Sequence, residues 1–123
     1  IITIKNAPEP VGPYSQAILQ GDTLYSSGQI AIDPKTNSLI LDSIEKETHQ
    51  VMKNIEAILD AAKMNWDNVI KCSIFLSDMN NFSEINEIYA SYFTNNYPAR
   101  ETVEVACLPK NVNVEISFIA ILD

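Results

Sequence analysis

The chain has 123 residues, 46% of them hydrophobic, which fits one globular domain spanning residues 1–123. Sixteen acidic residues outnumber eight basic ones, and the resulting net charge of −8 disfavours a nucleic-acid partner, because binding to a phosphate backbone depends on clustered Lys and Arg. No apolar run approaches the roughly 18 residues of a membrane span, and the N-terminus lacks the pattern of a secretory signal, so we expect a cytoplasmic protein that does not enter membranes.

The first part of the chain has the pattern of an extended arm followed by a β-hairpin. Three prolines interrupt residues 1–14, and a Gly-Pro turn fixes the direction of the Tyr14 side chain. Residues 15–19 and 24–30 have the composition of two strands joined by a short turn. Gly28 lies inside the second strand pattern, where a glycine marks either a bulge or a close approach of the backbone to another group, such as a ligand.

The next segment predicts a short strand at 39–41 and then a helix capped by Asp42 or Ser43. Its apolar residues recur at three- and four-residue spacing: Val51, Ile55, Ile58, Leu59 and Ala62. The charged residues of this helix, Glu47 among them, are expected mostly off the apolar stripe and therefore in solvent. For His49, which has no second His or Cys near it in sequence, we expect a solvated or capped side chain rather than a metal ligand or a catalytic base.

The second half predicts a strand at 69–76, a helix at 82–93 with Asn86 near the edge of its apolar stripe, and two strands at 102–107 and 112–121. The order is therefore ββ(β)-α-β-α-ββ. This order is typical of the α+β class, with two helices packed on one face of a mixed six-stranded sheet. Because two helices cannot cover both faces, we expect the uncovered face to be buried against another subunit.

The residue types show no sign of a metal or cofactor site. Cys72 and Cys107 are far apart in sequence, lack a CxxC pattern and have no histidine cluster beside them. Both lie in strand-like runs, where a free cysteine usually behaves as a small hydrophobic residue. We expect neither a bound metal nor a cofactor.

Two charged residues stand out by their local context. Arg100 follows a stiff Pro-Ala corner, which can present its planar fork of donors to a carboxylate or a phosphate. A solvated surface arginine is the alternative that its residue type favours. Glu115 interrupts an otherwise apolar strand pattern, so it is either an edge-strand carboxylate in water or a buried one that needs a partner or a raised pKa.

Several blocks of the chain resemble the signatures of the reactive-intermediate deaminase family (Rid, YjgF-like). The blocks are Gly12–Ala17, Ser27–Ile30, Asp33–Pro34, Pro98–Arg100, Val103–Ala106, Leu108–Pro109 and Val114–Ile116. They keep the family's order and spacing along nearly the whole chain, and the C-terminal blocks together form the specific part of the pattern.

The resemblance implies a chorismate-mutase-like fold and a homotrimer with three clefts between neighbouring subunits. It also implies hydrolysis of enamines and imines such as 2-aminoacrylate to 2-keto acids and ammonia, without a cofactor. In this pattern Arg100 binds the substrate carboxylate, and Glu115 holds a water molecule or transfers protons. The implied substrate-binding residues are Tyr14, Ser27, Gly28, Asn86, Arg100 and Thr102. Thr102 stands where some family members carry a cysteine, so thiol chemistry is excluded there.

Two other functions remain open at this point. The first is an endoribonuclease or translation inhibitor, a role reported for some relatives, which would need a basic surface that the net charge of −8 disfavours. The second is a trimer without catalytic activity that binds small carboxylates or acts like a chaperone. An assay of 2-keto acid release separates an enzyme from both.

Overall fold

The computed structural model describes residues 8–10 and 12–123, so the predicted arm over residues 1–14 lies largely outside the described residues. The strands in these ranges are β1 (Ala17–Gln20), β2 (Thr23–Ser26), β3 (Ile32–Asp33), β4 (Ser38–Leu39), β5 (Val69–Leu76), β6 (Ala99–Glu104) and β7 (Val114–Ile121), and the α-helices are α1 (Ile44–Ala61) and α2 (Phe82–Ala90). The main sheet has the strand order β1-β2-β7-β5-β6. Because β5 and β6 are parallel while the other neighbours are antiparallel, the sheet is mixed, and the predicted α+β class is confirmed.

The prediction of six strands in one sheet was wrong, since five strands form the sheet and β3 and β4 form a separate ribbon. The strand predicted at 24–30 ends at Ser26, because its side chain takes over a ladder bond: Ser26 Oγ accepts the Phe118 N–H at 2.8 Å. Pairing resumes only at Gln29, which exchanges two backbone hydrogen bonds with Ile116. The segment between Ser26 and Gln29 therefore interrupts the pairing with β7.

The two helices pack on one face of the sheet and enclose the core. Ser43 caps α1, since its side chain accepts the Lys46 N–H at 3.1 Å. The helix predicted at 82–93 ends at Ala90. The fully buried side chains of this core include Val51, Ile55, Ile58 and Leu59 of α1 and Val114, Ile116 and Ala120 of β7. Neither described helix combines the length and apolarity needed to cross a membrane.

The opposite face of the sheet carries no helix and exposes apolar side chains. Tyr25 is 49% exposed and Val103 is 40% exposed. Between them lies a polar group in which Lys71 Nζ is 3.0 Å from Glu101 Oε1 and the Ser73 hydroxyl donates to the same carboxylate. Burial of this face against another subunit stays a prediction.

Candidate functional site

Arg100 is held by side chains of α2. Its position as the second residue of β6 directs it toward that helix, where Nη1 donates to Asn86 Oδ1 at 2.7 Å. The guanidinium carbon lies 5.0 Å from the centre of the Tyr89 ring and 5.6 Å from that of Phe82, distances at which a cation is attracted to an aromatic face. Phe82, Asn86 and Tyr89 follow one another at helical spacing, so one face of α2 supplies all three contacts.

The described residues leave the charge of Arg100 without a carboxylate partner. Their ion pairs join Lys46 to Asp42 and Lys71 to Glu101, and neither involves Arg100. The pocket beside the guanidinium is lined by Asn86, Tyr89, Ala90, Tyr97, Pro98 and Arg100. A half-buried arginine with donors left over, in a chain of net charge −8, is suited to bind a small anion.

Cys72 and Tyr89 lie beneath Arg100 and stay uncharged. Burial raises the pKa of the Cys72 thiol to about 11, and it also raises the pKa of the Tyr89 hydroxyl, which lies beside that thiol. Cys72 is 1% exposed. A thiol of this kind is inert near neutral pH, so Cys72 behaves as the small hydrophobic residue expected of it.

Glu115 lies in a different pocket, formed by the N-terminal segment, the chain after β2 and the turn before β7. Its lining residues are Pro8, Glu9, Pro10, Tyr14, Gln16, Gly28, Gln29, Ile30, Ile32, Pro109, Lys110 and Glu115. Burial of the Glu115 carboxyl raises its pKa, because a charged carboxylate is disfavoured where water is displaced. A carboxyl group of this kind can accept or donate a proton closer to neutral pH than an exposed glutamate can.

Gly28 leaves the space that the Glu115 side chain occupies. A Cβ atom built on Gly28 would lie 2.7 Å from Glu115 Cδ and closer still to one of its carboxylate oxygens. The interpretation of Gly28 as a close approach of the backbone is therefore confirmed, and the group that approaches is Glu115. Contact between Gly28 and a ligand stays a prediction.

The remaining predicted site residues differ in position. Tyr14 is 48% exposed and lines the Glu115 pocket. Ser27 lines neither pocket, since its hydroxyl donates to the Ser15 carbonyl oxygen at 2.5 Å. Thr102 also lines neither pocket, and its Oγ1 is buried without a hydrogen-bond partner among residues 8–10 and 12–123.

Arg100 and Glu115 point to opposite faces of the sheet. In the register Arg100 lies opposite Cys72, which is in the core under the helices, and Glu115 lies opposite Phe75. Because side chains alternate along a strand, Glu115 points away from the helix face to which its buried neighbours belong. Strand β5 separates β6 from β7, which adds about 10 Å between the two residues. On one chain, the two residues cannot contact the same small molecule.

Two polar side chains of α1 are buried to different extents. Glu47 is fully buried, so the prediction that it lies off the apolar stripe was wrong. Its spacing of four residues from Val51 was the signal that places it on the stripe. His49 is partly buried, and its Nδ1 is 2.7 Å from the Tyr92 hydroxyl. No cluster of three or more metal-binding side chains occurs in the described part of the chain.

Comparison with known sequences gives one consistent picture. A family model described as Endoribonuclease L-PSP matches residues 4–122. The chain is 51% identical over 120 residues to a RutC family protein of Pyrococcus horikoshii, covering 98% of this chain and 95% of that protein. It is 44% identical over 121 residues to the human 2-iminobutanoate/2-iminopropanoate deaminase, covering 98% of this chain and 88% of that protein.

Solved structures agree with this picture along the whole fold. A protein of the conserved Rid family from Yersinia pestis superimposes with a TM-score of 0.96 at 50% identity, covering 99% of this chain and 98% of that one. Escherichia coli TdcF with bound serine also has a TM-score of 0.96, at 36% identity, covering 100% of this chain and 98% of that one.

Proposed function

Because the chain belongs to the endoribonuclease L-PSP family, and the family includes relatives of similar length named 2-iminobutanoate/2-iminopropanoate deaminases, we propose that it hydrolyses reactive enamines and imines of the 2-aminoacrylate type to 2-keto acids and ammonia. The observation that carries this proposal is the guanidinium of Arg100, which is anchored to Asn86 and has no carboxylate partner among the described residues. A 2-imino acid supplies that carboxylate. The match over residues 4–122 supports one deaminase domain spanning 1–123.

The ligand of a relative supports the same class of substrate. TdcF of Escherichia coli binds serine, which carries a carboxylate next to a carbon that bears nitrogen. A 2-imino acid has the same two groups on adjacent carbons. Arg100 holds the carboxylate as a charge-assisted pair worth about 1.5–3 kcal/mol, while Asn86 fixes the orientation of the guanidinium.

The site requires two copies of the chain, because Arg100 and Glu115 lie on opposite faces of one sheet. In the proposed homotrimer, each of three clefts combines Arg100, Asn86 and Thr102 of one subunit with Tyr14, Ser27, Gly28 and Glu115 of its neighbour. The exposed apolar side chains on the uncovered sheet face support such an assembly. Thr102 lies on the same strand face as Arg100, which supports its place beside Arg100 in the proposed cleft.

Hydrolysis in this cleft needs only water and proton transfer. An enamine first takes a proton at its terminal carbon and becomes the iminium ion, which is the protonated imine. Glu115 then accepts a proton from water as the oxygen attacks the iminium carbon, and the resulting carbinolamine carries both OH and NH₂. Glu115 returns this proton to nitrogen, and the C–N bond breaks as the hydroxyl group loses its proton to Glu115 and forms the carbonyl, which leaves ammonia and the 2-keto acid. General acid–base assistance of this kind contributes roughly 10²–10⁴-fold.

The test is a coupled assay in which a serine or threonine dehydratase generates the enamine and the appearance of pyruvate or 2-ketobutyrate is followed. We expect the wild-type protein to accelerate this step and Arg100→Ala to lose about a hundredfold in kcat/KM, the equivalent of roughly 2.7 kcal/mol of lost charge-assisted binding. Lys35→Ala removes an exposed positive charge outside both pockets and serves as the control. Unchanged keto acid release by Arg100→Ala would contradict the proposal. Cleavage of RNA that is lost with the same substitution would favour the ribonuclease instead.

A further inference from the structure

Glu47 is a buried carboxylate whose side-chain hydrogen bonds go to the start of β7. It lies in the first turn of α1 and is fully buried. One oxygen accepts the backbone N–H groups of Asn113 at 2.8 Å and Val114 at 3.3 Å, and the other accepts Asn113 Nδ2 at 2.7 Å. Since a buried carboxylate is unfavourable unless it is hydrogen-bonded, this arrangement specifies where residues 113 and 114 lie.

Glu115 lies between residues that are held by hydrogen bonds on both sides. On one side of it, Asn113 and Val114 are tied to Glu47. On the other side, Ile116 exchanges backbone hydrogen bonds of 2.8 and 3.1 Å with Gln29. The backbone of Glu115 is therefore held between two anchors, and its side chain lies against Gly28.

The two anchors differ in kind. The bonds of Gln29 belong to the backbone and do not depend on its side chain. Glu47 is the anchor that a side chain supplies, and it joins the N-terminal end of α1 to the strand that carries Glu115. A helix N-terminus is a favourable place for a carboxylate because of the helix dipole.

We propose that Glu47 is a positioning residue for Glu115: its carboxylate holds the start of β7 so that the Glu115 carboxyl is placed for proton transfer. This inference rests on the proposed deaminase function. It assigns Glu47 no contact with substrate and no part in binding the substrate carboxylate, which is the role of Arg100 on the opposite face.

The loss of Glu47 should have different effects depending on whether it positions Glu115 or only stabilises the fold. If Glu47 only stabilises the fold, its loss lowers the thermal midpoint, and both the turnover of the folded protein and its binding of carboxylates are unchanged. If Glu47 positions Glu115, turnover falls while binding at Arg100 is preserved, because a shift of about 1 Å at a catalytic group can cost about 10²-fold in rate.

The experiment compares Glu47→Leu, which removes both acceptor oxygens, with Glu47→Gln, which keeps the shape and one acceptor. Turnover is measured in the coupled assay, and the binding of 2-ketobutyrate is measured by calorimetry. We expect Glu47→Leu to lose roughly tenfold in turnover with unchanged binding, and Glu47→Gln to recover part of the loss. Leu59→Ala, 12 residues or about 18 Å further along α1, is the control that lowers stability through packing alone.

Each result with the Glu47 variants either supports or overturns the positioning role of Glu47. Wild-type turnover in folded Glu47→Leu overturns the inference, as does a loss of binding as large as the loss of turnover. If Glu47→Leu does not fold, Glu47→Gln decides alone: turnover equal to that of the wild type overturns the inference, and reduced turnover with unchanged binding supports it. An inactive wild-type protein is distinguishable from these results, because it contradicts the proposed function itself and the inference with it.

Discussion

The pockets of Arg100 and Glu115 hold their charged groups by different means. Arg100 is positioned by side chains that come from one neighbouring helix, 14 residues earlier in the case of Asn86. Glu115 is positioned through its neighbours in β7, which bond to the Gln29 backbone and to the Glu47 side chain, and by the missing side chain of Gly28. We therefore expect the Arg100 pocket to tolerate changes in the backbone around Glu115, and the Glu115 pocket to tolerate changes in α2.

Of the substitutions proposed, Gly28→Ala should disturb the Glu115 pocket most strongly. The added Cβ would overlap the Glu115 carboxyl and displace it, so we expect turnover in the coupled assay to fall by about a hundredfold. Binding of 2-ketobutyrate to the Arg100 pocket should change little.

Gly21→Ala is the matched control for this prediction. Gly21 has a φ of +60°, and nothing lies within 4 Å of the place that an added methyl group would take, so alanine there costs about 1–2 kcal/mol of stability through backbone strain. We expect a lower thermal midpoint with normal turnover. Normal turnover in Gly28→Ala would contradict the link between this glycine and Glu115.

Asn86→Ala changes the Arg100 pocket, and its expected effect, on the affinity for 2-ketobutyrate, is smaller. It removes the 2.7 Å bond to Arg100 Nη1 but leaves the aromatic rings that flank the guanidinium. We expect 2-ketobutyrate to bind about tenfold more weakly, as for the loss of one charge-assisted bond. Calorimetry measures this directly. Unchanged affinity would mean that the aromatic contacts alone hold the arginine.

Glu115→Gln should have the smallest of these effects, which is a change in how the free energy of unfolding depends on pH. Burial raises the pKa of Glu115 in the folded protein, so its contribution to stability is fully present below the pKa of the unfolded chain and is lost as the pH rises through the folded value. As the pH rises above 4.5, the ordinary value for a glutamate, the wild type should therefore lose more free energy of unfolding than Glu115→Gln does. Urea unfolding at fixed protein concentration measures the difference. Parallel pH dependences would show that Glu115 is not desolvated.

The regular elements of the fold could be predicted from periodicity. The spacing of Val51, Ile55 and Ile58 predicted α1, and the alternation along 112–121 predicted β7. The end of β2 could not be predicted, because it depends on the side chain of Ser26 bonding to Phe118, which is 92 residues away. The spacing of Glu47 from Val51 did place it on the apolar stripe, but the hydrogen-bond partners that allow a carboxylate to be buried there begin 66 residues later and gave no local signal.

The residues of the candidate site could not be predicted from local sequence patterns alone. Residue type alone favours a solvated Arg100, and its assignment came from the resemblance of the surrounding blocks. Nothing in the local sequence indicates that Arg100 and Glu115 lie on opposite faces of the sheet, because this depends on the strand order β7-β5-β6. That arrangement supports the cleft shared by two subunits, which the family resemblance implies.

Mixing two inactive variants tests the shared cleft most directly. Arg100→Ala and Glu115→Ala are unfolded together, refolded as mixed oligomers and assayed for 2-keto acid release, with each variant refolded alone as the control. If each cleft takes Arg100 from one subunit and Glu115 from its neighbour, random assembly restores about a quarter of the wild-type activity. If both residues act within one chain, the mixture stays as inactive as its components, and the account is wrong.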